Sequence, residues 1–204
     1  MKRIGIDIGT SSICGVVCDD GGRLLRSLTR ANDAAIEGIP SWAFRQDAER
    51  ILNIVKSLLE DLMEDEVTSI GFSGQMHGMV YVDASGRSVS PLYTWQDGSA
   101  SQEYADGKSY AQWLTERSGY EVATGYGLAT HFYHVRQQSV PREAAALCTI
   151  MDYVAMNLCG RKEPLCEPSN AASLGFFDKR TLRLFFSFFI CIIRKTKKWI
   201  FIII

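Results

Sequence analysis

The 204-residue chain has almost no net charge: 22 Lys and Arg against 23 Asp and Glu leave −1, and no basic stripe stands out before the C-terminal tail. That lack removes the electrostatic footprint on which nucleic-acid binding rests, so nucleic acid is not an expected partner. The six cysteines, Cys14, Cys18, Cys148, Cys159, Cys166 and Cys191, form no CxxC pair, and the three histidines, His77, His131 and His134, are not interleaved with them. Zinc-type ligand spacing is therefore missing, and the cysteines read as reduced, small core hydrophobes. Met1-Lys2-Arg3 runs straight into a strand that carries glycine and aspartate, without the apolar core of a signal peptide, so a cytoplasmic location is the expectation. No internal repeat is visible. The apolar run Leu184 to Ile193 falls well short of the about 20 residues a membrane span requires, which leaves a membrane off the list of expected partners.

The tail has its own absences. From Lys179 onward there is no Asp, Glu, Gly or Pro, only Phe and Ile runs broken by Arg194-Lys195-Thr196-Lys197-Lys198. This vocabulary is what out-of-frame, AT-rich coding produces; a basic, aromatic membrane-surface segment is the alternative. The expected division is a domain over 1–180 and an aberrant tail over 181–204.

What is present begins at the N-terminus, where the apolar strand Ile4-Gly5-Ile6-Asp7-Ile8 carries one carboxylate into the turn Gly9-Thr10-Ser11-Ser12. Glycine allows close backbone approach, and the hydroxyls and N–H groups that follow suit anionic oxygens. Phosphoryl transfer asks chiefly for positioned charge, so an acid, a magnesium ion and a donor-lined turn are its expected parts. An ordinary hairpin opening remains the alternative.

The length permits one sizeable core or two small ones. Cys14 to Cys18 reads as a second strand, and Asp19-Asp20-Gly21-Gly22 as the turn that leads back through Arg23-Leu24-Leu25. Ile51, Leu52, Val55, Leu58, Leu59 and Leu62 recur at helical spacing behind Asp47, a candidate N-cap. Val67 to Phe72 and Met79 to Val82 read as strands, the latter turned back by Asp83-Ala84-Ser85-Gly86-Arg87, and Ile150 to Leu158 as a helix stopped by Cys159-Gly160. Strands, then helix, then strands predict an α/β class. Tyr104 to Gln138 reads only as short helices joined by loops.

Between the two middle strands lies Ser73-Gly74-Gln75-Met76-His77-Gly78, a glycine-bounded loop whose Gln75 and His77 offer both donors and acceptors, as a polyhydroxylated ligand demands. The alternative is a satisfied loop histidine. Thr94-Trp95-Gln96-Asp97-Gly98 sets an aromatic plane beside a carboxylate, a combination suited to the apolar face and hydroxyl edge of a sugar. A core tryptophan followed by a capping aspartate would carry the same letters.

Asp7-Ile8-Gly9-Thr10-Ser11-Ser12, Ser73-Gly74-Gln75-Met76-His77-Gly78 and Trp95-Gln96-Asp97-Gly98, in that order and spacing, resemble the amino-terminal domain of the FGGY carbohydrate kinases. Met76-His77 is similar to the xylulokinase and sedoheptulokinase branch, and Thr124-Gly125-Tyr126-Gly127-Leu128-Ala129-Thr130 and Thr149-Ile150-Met151-Asp152-Tyr153 are similar to its sedoheptulokinase-like subgroup. The resemblance covers residues 1 to about 180. It implies an actin-like, ribonuclease-H-like fold, a mixed sheet flanked by helices, with sugar and ATP meeting in a cleft between two such domains. Only the first is expected in this chain. By position, Asp7 would organise Mg2+ and phosphate, and Gly9, Thr10 and Ser11 would meet the phosphates. Gln75, Met76, His77, Trp95 and Asp97 would line the sugar site. The family's general-base aspartate precedes a short Asn/Asp-Ala-Ala/Ser run; here Cys166-Glu167-Pro168 precedes Ser169-Asn170-Ala171-Ala172-Ser173, so Glu167 holds that place, with a solvent-facing loop glutamate as the alternative. The reading implied is an ATP-dependent ketose kinase, inactive as this fragment without its carboxy-terminal kinase domain. The alternatives are a non-catalytic sugar-binding module and another actin-like ATPase.

Overall fold

Ile4, Ile6 and Ile8 alternate with Gly5 and Asp7 along the first strand, so one face is apolar and the other carries the carboxylate; the three isoleucines are buried and Asp7 is exposed. In the computed structural model, which describes residues 1–178, 180–181, 183–184 and 202–203, this strand, β1 (Lys2–Ile8), anchors a four-stranded sheet. The tail set off at 181 lies almost wholly outside the described residues. β2 (Ser12–Asp19) returns antiparallel to β1, and β3 (Leu24–Ala31) pairs antiparallel with β2. After β4 (Arg45–Gln46) and helix α1 (Ala48–Leu62), β5 (Val67–Gly74) lies parallel to β1 on its other side, giving the order β3-β2-β1-β5.

α1 is where its apolar spacing puts it. Asp47 is the N-cap, accepting the Arg50 N–H at 3.0 Å, and Ile51, Leu52, Val55, Leu58, Leu59 and Leu62 are all buried. Burying a side chain of that size contributes roughly 1.5–3 kcal/mol, so the docked face, more than helix propensity, holds the element. α4 (Ile150–Leu158) joins the same core and packs on β5 and α1; a reciprocal cap between Thr149 and Asp152 starts it.

A second, aromatic core accounts for the stretch that the sequence left irregular. β6 (Val80–Val82), β7 (Leu92–Tyr93), β8 (Glu103–Ala105) and β9 (Lys108–Ser109) lead into α2 (Tyr110–Ser118) and α3 (Gly127–Arg136). Tyr81, Tyr110, Phe132 and Phe176 fill it, with Trp113 stacked on Phe132 at a centroid distance of 5.6 Å. β10 (Ala146–Cys148) pairs antiparallel with β6, and β11 (Leu165–Cys166) precedes the short α5 (Pro168–Leu174). The strands foreseen at Cys14–Cys18 and Val67–Phe72 are present and longer, and Arg23-Leu24-Leu25 opens a full strand.

Two histidines lie inside the aromatic core. The Tyr81 hydroxyl is 2.7 Å from His131 Nδ1 and 3.2 Å from His134 Nδ1, and Tyr93, Tyr133 and the Arg45 guanidinium surround the group. Burial pulls His131 down to about 4, and burial with the neighbouring His131 and Arg45 pulls His134 down to about 3. Both sit below the ordinary value near 6.5, so the unfolded chain binds more protons throughout that window. Stability is therefore full above about pH 6.5 and falls as pH drops toward 4, with a slope approaching about 1.4 kcal/mol per pH unit for each histidine. Urea denaturation at pH 7.5 and 5 is expected to show this loss, and a His134→Gln chain to show a shallower one.

Candidate active site

The cleft forms where β1 and β5 end side by side. Ile8 O accepts the Gln75 N–H at 2.8 Å, locking the end of one strand to the loop that leaves the other. Asp7 and Ser73 are register partners across the pair, and the Ser73 hydroxyl donates to Asp7 Oδ1 at 2.7 Å. The cavity, about 410 Å3, is lined by Asp7, Gly9, Thr10, Gly74, Gln75, Met76, His77 and Trp95. Three segments that lie far apart in the chain thus share one wall.

The turn after β1 is held from behind. Asn32 Nδ2 donates to Gly9 O at 2.8 Å, the Asn32 N–H to Ser11 O at 3.0 Å, and Gln46 Nε2 to Thr10 O at 2.8 Å. These bonds draw the turn's carbonyls toward the protein, so an anionic oxygen in the cleft is spared their repulsion. A Cβ on Gly9 would lie 2.7 Å from Ser12 O, so glycine is what lets the turn close this tightly on Ser12 beside the carboxylate. Among the described residues no three or more His, Cys, Asp or Glu side chains converge as a metal cage. Asp7 nevertheless fits a hard cation such as magnesium, which commonly takes one or two carboxylates and completes its shell with water and phosphate oxygens.

A polar network fixes the side of the cleft that carries Trp95. Trp95 Nε1 donates to Thr10 Oγ1 at 3.1 Å, Thr10 Oγ1 lies 3.5 Å from Gln75 Oε1, and Gln75 Nε2 donates to Gln46 Oε1 at 2.8 Å. Thr10 and Gln75 thus spend their polar groups on the protein as well as lining the cleft. Trp95 is 47 % exposed and Met76 54 %, so an aromatic plane and a thioether are open to a ligand. His77 is half-buried; its backbone N–H lies 3.3 Å from Ser173 Oγ and its Nδ1 2.7 Å from Ser173 O.

Two carboxylates expected in the site are engaged elsewhere. Asp97 is fully buried and caps the short turn Gly98–Ser101: Oδ1 accepts the Ser99 N–H at 3.0 Å, Oδ2 the Phe44 N–H at 3.3 Å, and Arg45 Nε lies 3.6 Å away. It is absent from the cleft lining, and its place behind Trp95 is that of a cap. Glu167 is likewise the N-cap of α5, accepting from the Ser169 N–H at 2.9 Å and from the Ser169 hydroxyl. Those bonds, the hydroxyl's first, hold its carboxyl below the ordinary range, and it too is outside the lining. Ser11 is exposed in the turn without being among the lining residues. Sequence reasoning passed over Asn32, Gln46 and Ser173, which support the lining residues; their only signal was a polar identity next to a strand or helix end.

Comparison with known proteins gives the class. Residues 3–184 match the N-terminal domain of the FGGY family of carbohydrate kinases. The chain belongs to that family. It is 34% identical over 207 aligned residues to the sedoheptulokinase of Homo sapiens, an alignment covering 87% of this chain and 42% of that protein. It is also 34% identical to a xylulose kinase of Staphylococcus xylosus, covering 86% of this chain and 37% of that one. The chain therefore spans about two-fifths of the length of the curated relatives it matches. Its fold superposes on a ligand-bound xylulose kinase from Lactobacillus acidophilus with a TM-score of 0.83 at 19% identity, over 100% of this chain and 42% of that one. The mixed sheet with its flanking helices is the actin-like α/β architecture. No helix among the described residues is long and apolar enough to cross a membrane.

The cap assignment makes Asp97 a stability residue. Asp97→Ala removes a cap worth about 1 kcal/mol and leaves buried donors unmet at about 1–3 kcal/mol more. Equilibrium unfolding is expected to show a loss of about 2–4 kcal/mol.

Proposed function

We propose that this chain is the sugar-side domain of an ATP-dependent carbohydrate kinase that transfers the γ-phosphoryl group to a hydroxyl of a ketose, with sedoheptulose or xylulose favoured. The observation that carries the reading is the convergence of Asp7, the Gly9-Thr10 turn, the Gln75-Met76-His77 loop and Trp95 on one cleft. Trp95 would stack on the apolar face of the sugar, while His77 would meet its hydroxyls. The Gly9 to Ser11 turn would meet terminal phosphate oxygens. Asp7 would hold magnesium, which neutralises phosphate charge when bound. By family position Glu167 would take the proton of the attacking hydroxyl, which requires its release from Ser169, since a carboxylate accepting two hydrogen bonds is a weaker base.

The chain alone would hold ATP from one side, so transfer is assigned to the protein completed by its carboxy-terminal kinase domain, acting in the cytoplasm. A sugar-binding module without transfer is the second reading, favoured by the engagement of Glu167 as a cap. A coupled ATP-consumption assay of this chain and of a version completed with that domain, across sedoheptulose, xylulose, ribulose and glycerol, tests the proposal. Ketose-dependent turnover is expected only in the completed protein, and Asp7→Asn is expected to lower it at least about 100-fold, as loss of a charge-stabilising group does. Unchanged turnover in that variant removes the role given to Asp7; a folded, completed protein that binds ketose without turnover favours the module.

A further inference from the structure

Gly125-Tyr126-Gly127 is wedged between the two loops that form the cleft. A Cβ on Gly125 would lie 1.9 Å from Trp95 O, and one on Gly127 would lie 3.0 Å from His77 O and 2.5 Å from Leu174 Cδ2. Between these contacts the Tyr126 ring stacks on the His77 imidazole, centroids 4.6 Å apart and planes 14° from parallel. The same ring packs against Gly175, whose Cβ would lie 3.0 Å from Tyr126 Cδ2.

Tyr126 occupies the N-cap of α3 and makes no side-chain cap bond. Ser, Thr, Asp or Asn at that position would stabilise the helix by about 1 kcal/mol, so capping does not account for a tyrosine there. His77 is unusual in its own right, with φ of 72° in the left-handed region that a β-carbon disfavours. Such a conformation persists where surrounding contacts over-determine it. Here they are the Ser173 hydroxyl on the His77 N–H, the Ser173 carbonyl on Nδ1, and the Tyr126 stack.

A carbonyl oxygen only accepts, so His77 Nδ1 must carry the proton in that 2.7 Å contact. In the neutral ring Nε2 is then an acceptor. We propose that Tyr126 is a positioning residue: with the Ser173 carbonyl it holds His77 in the Nδ1–H tautomer, so the cleft selects a polyol that presents a hydroxyl donor to Nε2. This deepens, and rests on, the reading of the cleft as a sugar site. It also gives Tyr126 a role beyond its packing against the aromatic core.

The test uses the chain labelled with 15N-histidine at pH 8, the His77 resonances being those lost in His77→Gln. Long-range 1H–15N spectra are expected to show the Nδ1–H tautomer in the unsubstituted chain and in Tyr126→Phe, and a shift toward Nε2–H in Tyr126→Leu. Titrated with sedoheptulose and xylulose, Tyr126→Leu is expected to bind roughly 10-fold more weakly, as loss of one well-made hydrogen bond does, and Tyr126→Phe to bind normally. An Nε2–H ring in the unsubstituted chain overturns the positioning outright and needs no variant to fold. Tyr126→Leu with unchanged tautomer and affinity overturns it as well, while leaving the sugar reading standing. An Nδ1–H ring in a chain that binds neither sugar overturns the sugar reading, and with it the selection assigned to Nε2.

Discussion

The site depends on the parallel pairing of β1 with β5. That pairing sets Asp7 opposite Ser73 and Ile8 opposite Gly74, and so brings the turn after the first strand against the loop after the fifth. Ligands in α/β sheets sit outside the carboxyl ends of such strands, where diverging backbones leave a crevice. A slip of one residue would turn Asp7 into the α1 core and send Ile4, Ile6 and Ile8 out. The buried isoleucines therefore fix the carboxylate's direction, and apolar packing on one face of β1 determines the chemistry on the other.

The second constraint is rigidity across the cleft. The sheet supplies Asp7 and the Gly9-Thr10 turn, whereas Trp95 follows β7 and the Tyr126 that stacks on His77 packs on the aromatic core. Trp95 Nε1 on Thr10 Oγ1 ties the two directly, and Gln46 joins Thr10 to Gln75 from behind. Each such bond contributes about 1 kcal/mol net, yet together they leave few ways for one wall to move without the other.

The legible parts of the sequence were those in which one physical signal dominates. α1 combines an Asp47 cap with a long apolar period, and β1 alternates cleanly. β3 does not: as an edge strand it exposes Leu24, Leu25, Arg26 and Ser27 in succession, so no buried face stamps a period of two on it. α3 begins at a tyrosine and α5 is one short segment behind a proline, and neither carries an amphipathic stripe long enough to read. The carboxylates show a different limit. Asp97 before Gly98-Ser99 and Glu167 before Pro168-Ser169 have the letters of ligand-facing acids and the letters of helix caps at once. Whether the first free N–H groups of the following turn point back at the side chain is a three-dimensional fact, and here they do.

Moving those two acids to caps changes the electrostatics of the cleft. Its lining holds one carboxylate, Asp7, and neither Lys nor Arg. An anionic phosphate approaching that wall meets repulsion from Asp7. Compensation must come from a cation held at Asp7, or from positive groups on a surface facing the cleft. A neutral polyol meets no such barrier, because Trp95, Met76 and His77 offer apolar contact and hydrogen bonding without charge. The described wall thus carries groups suited to a neutral polyol and no positive side chain suited to a phosphate, an asymmetry that follows from which residues line it.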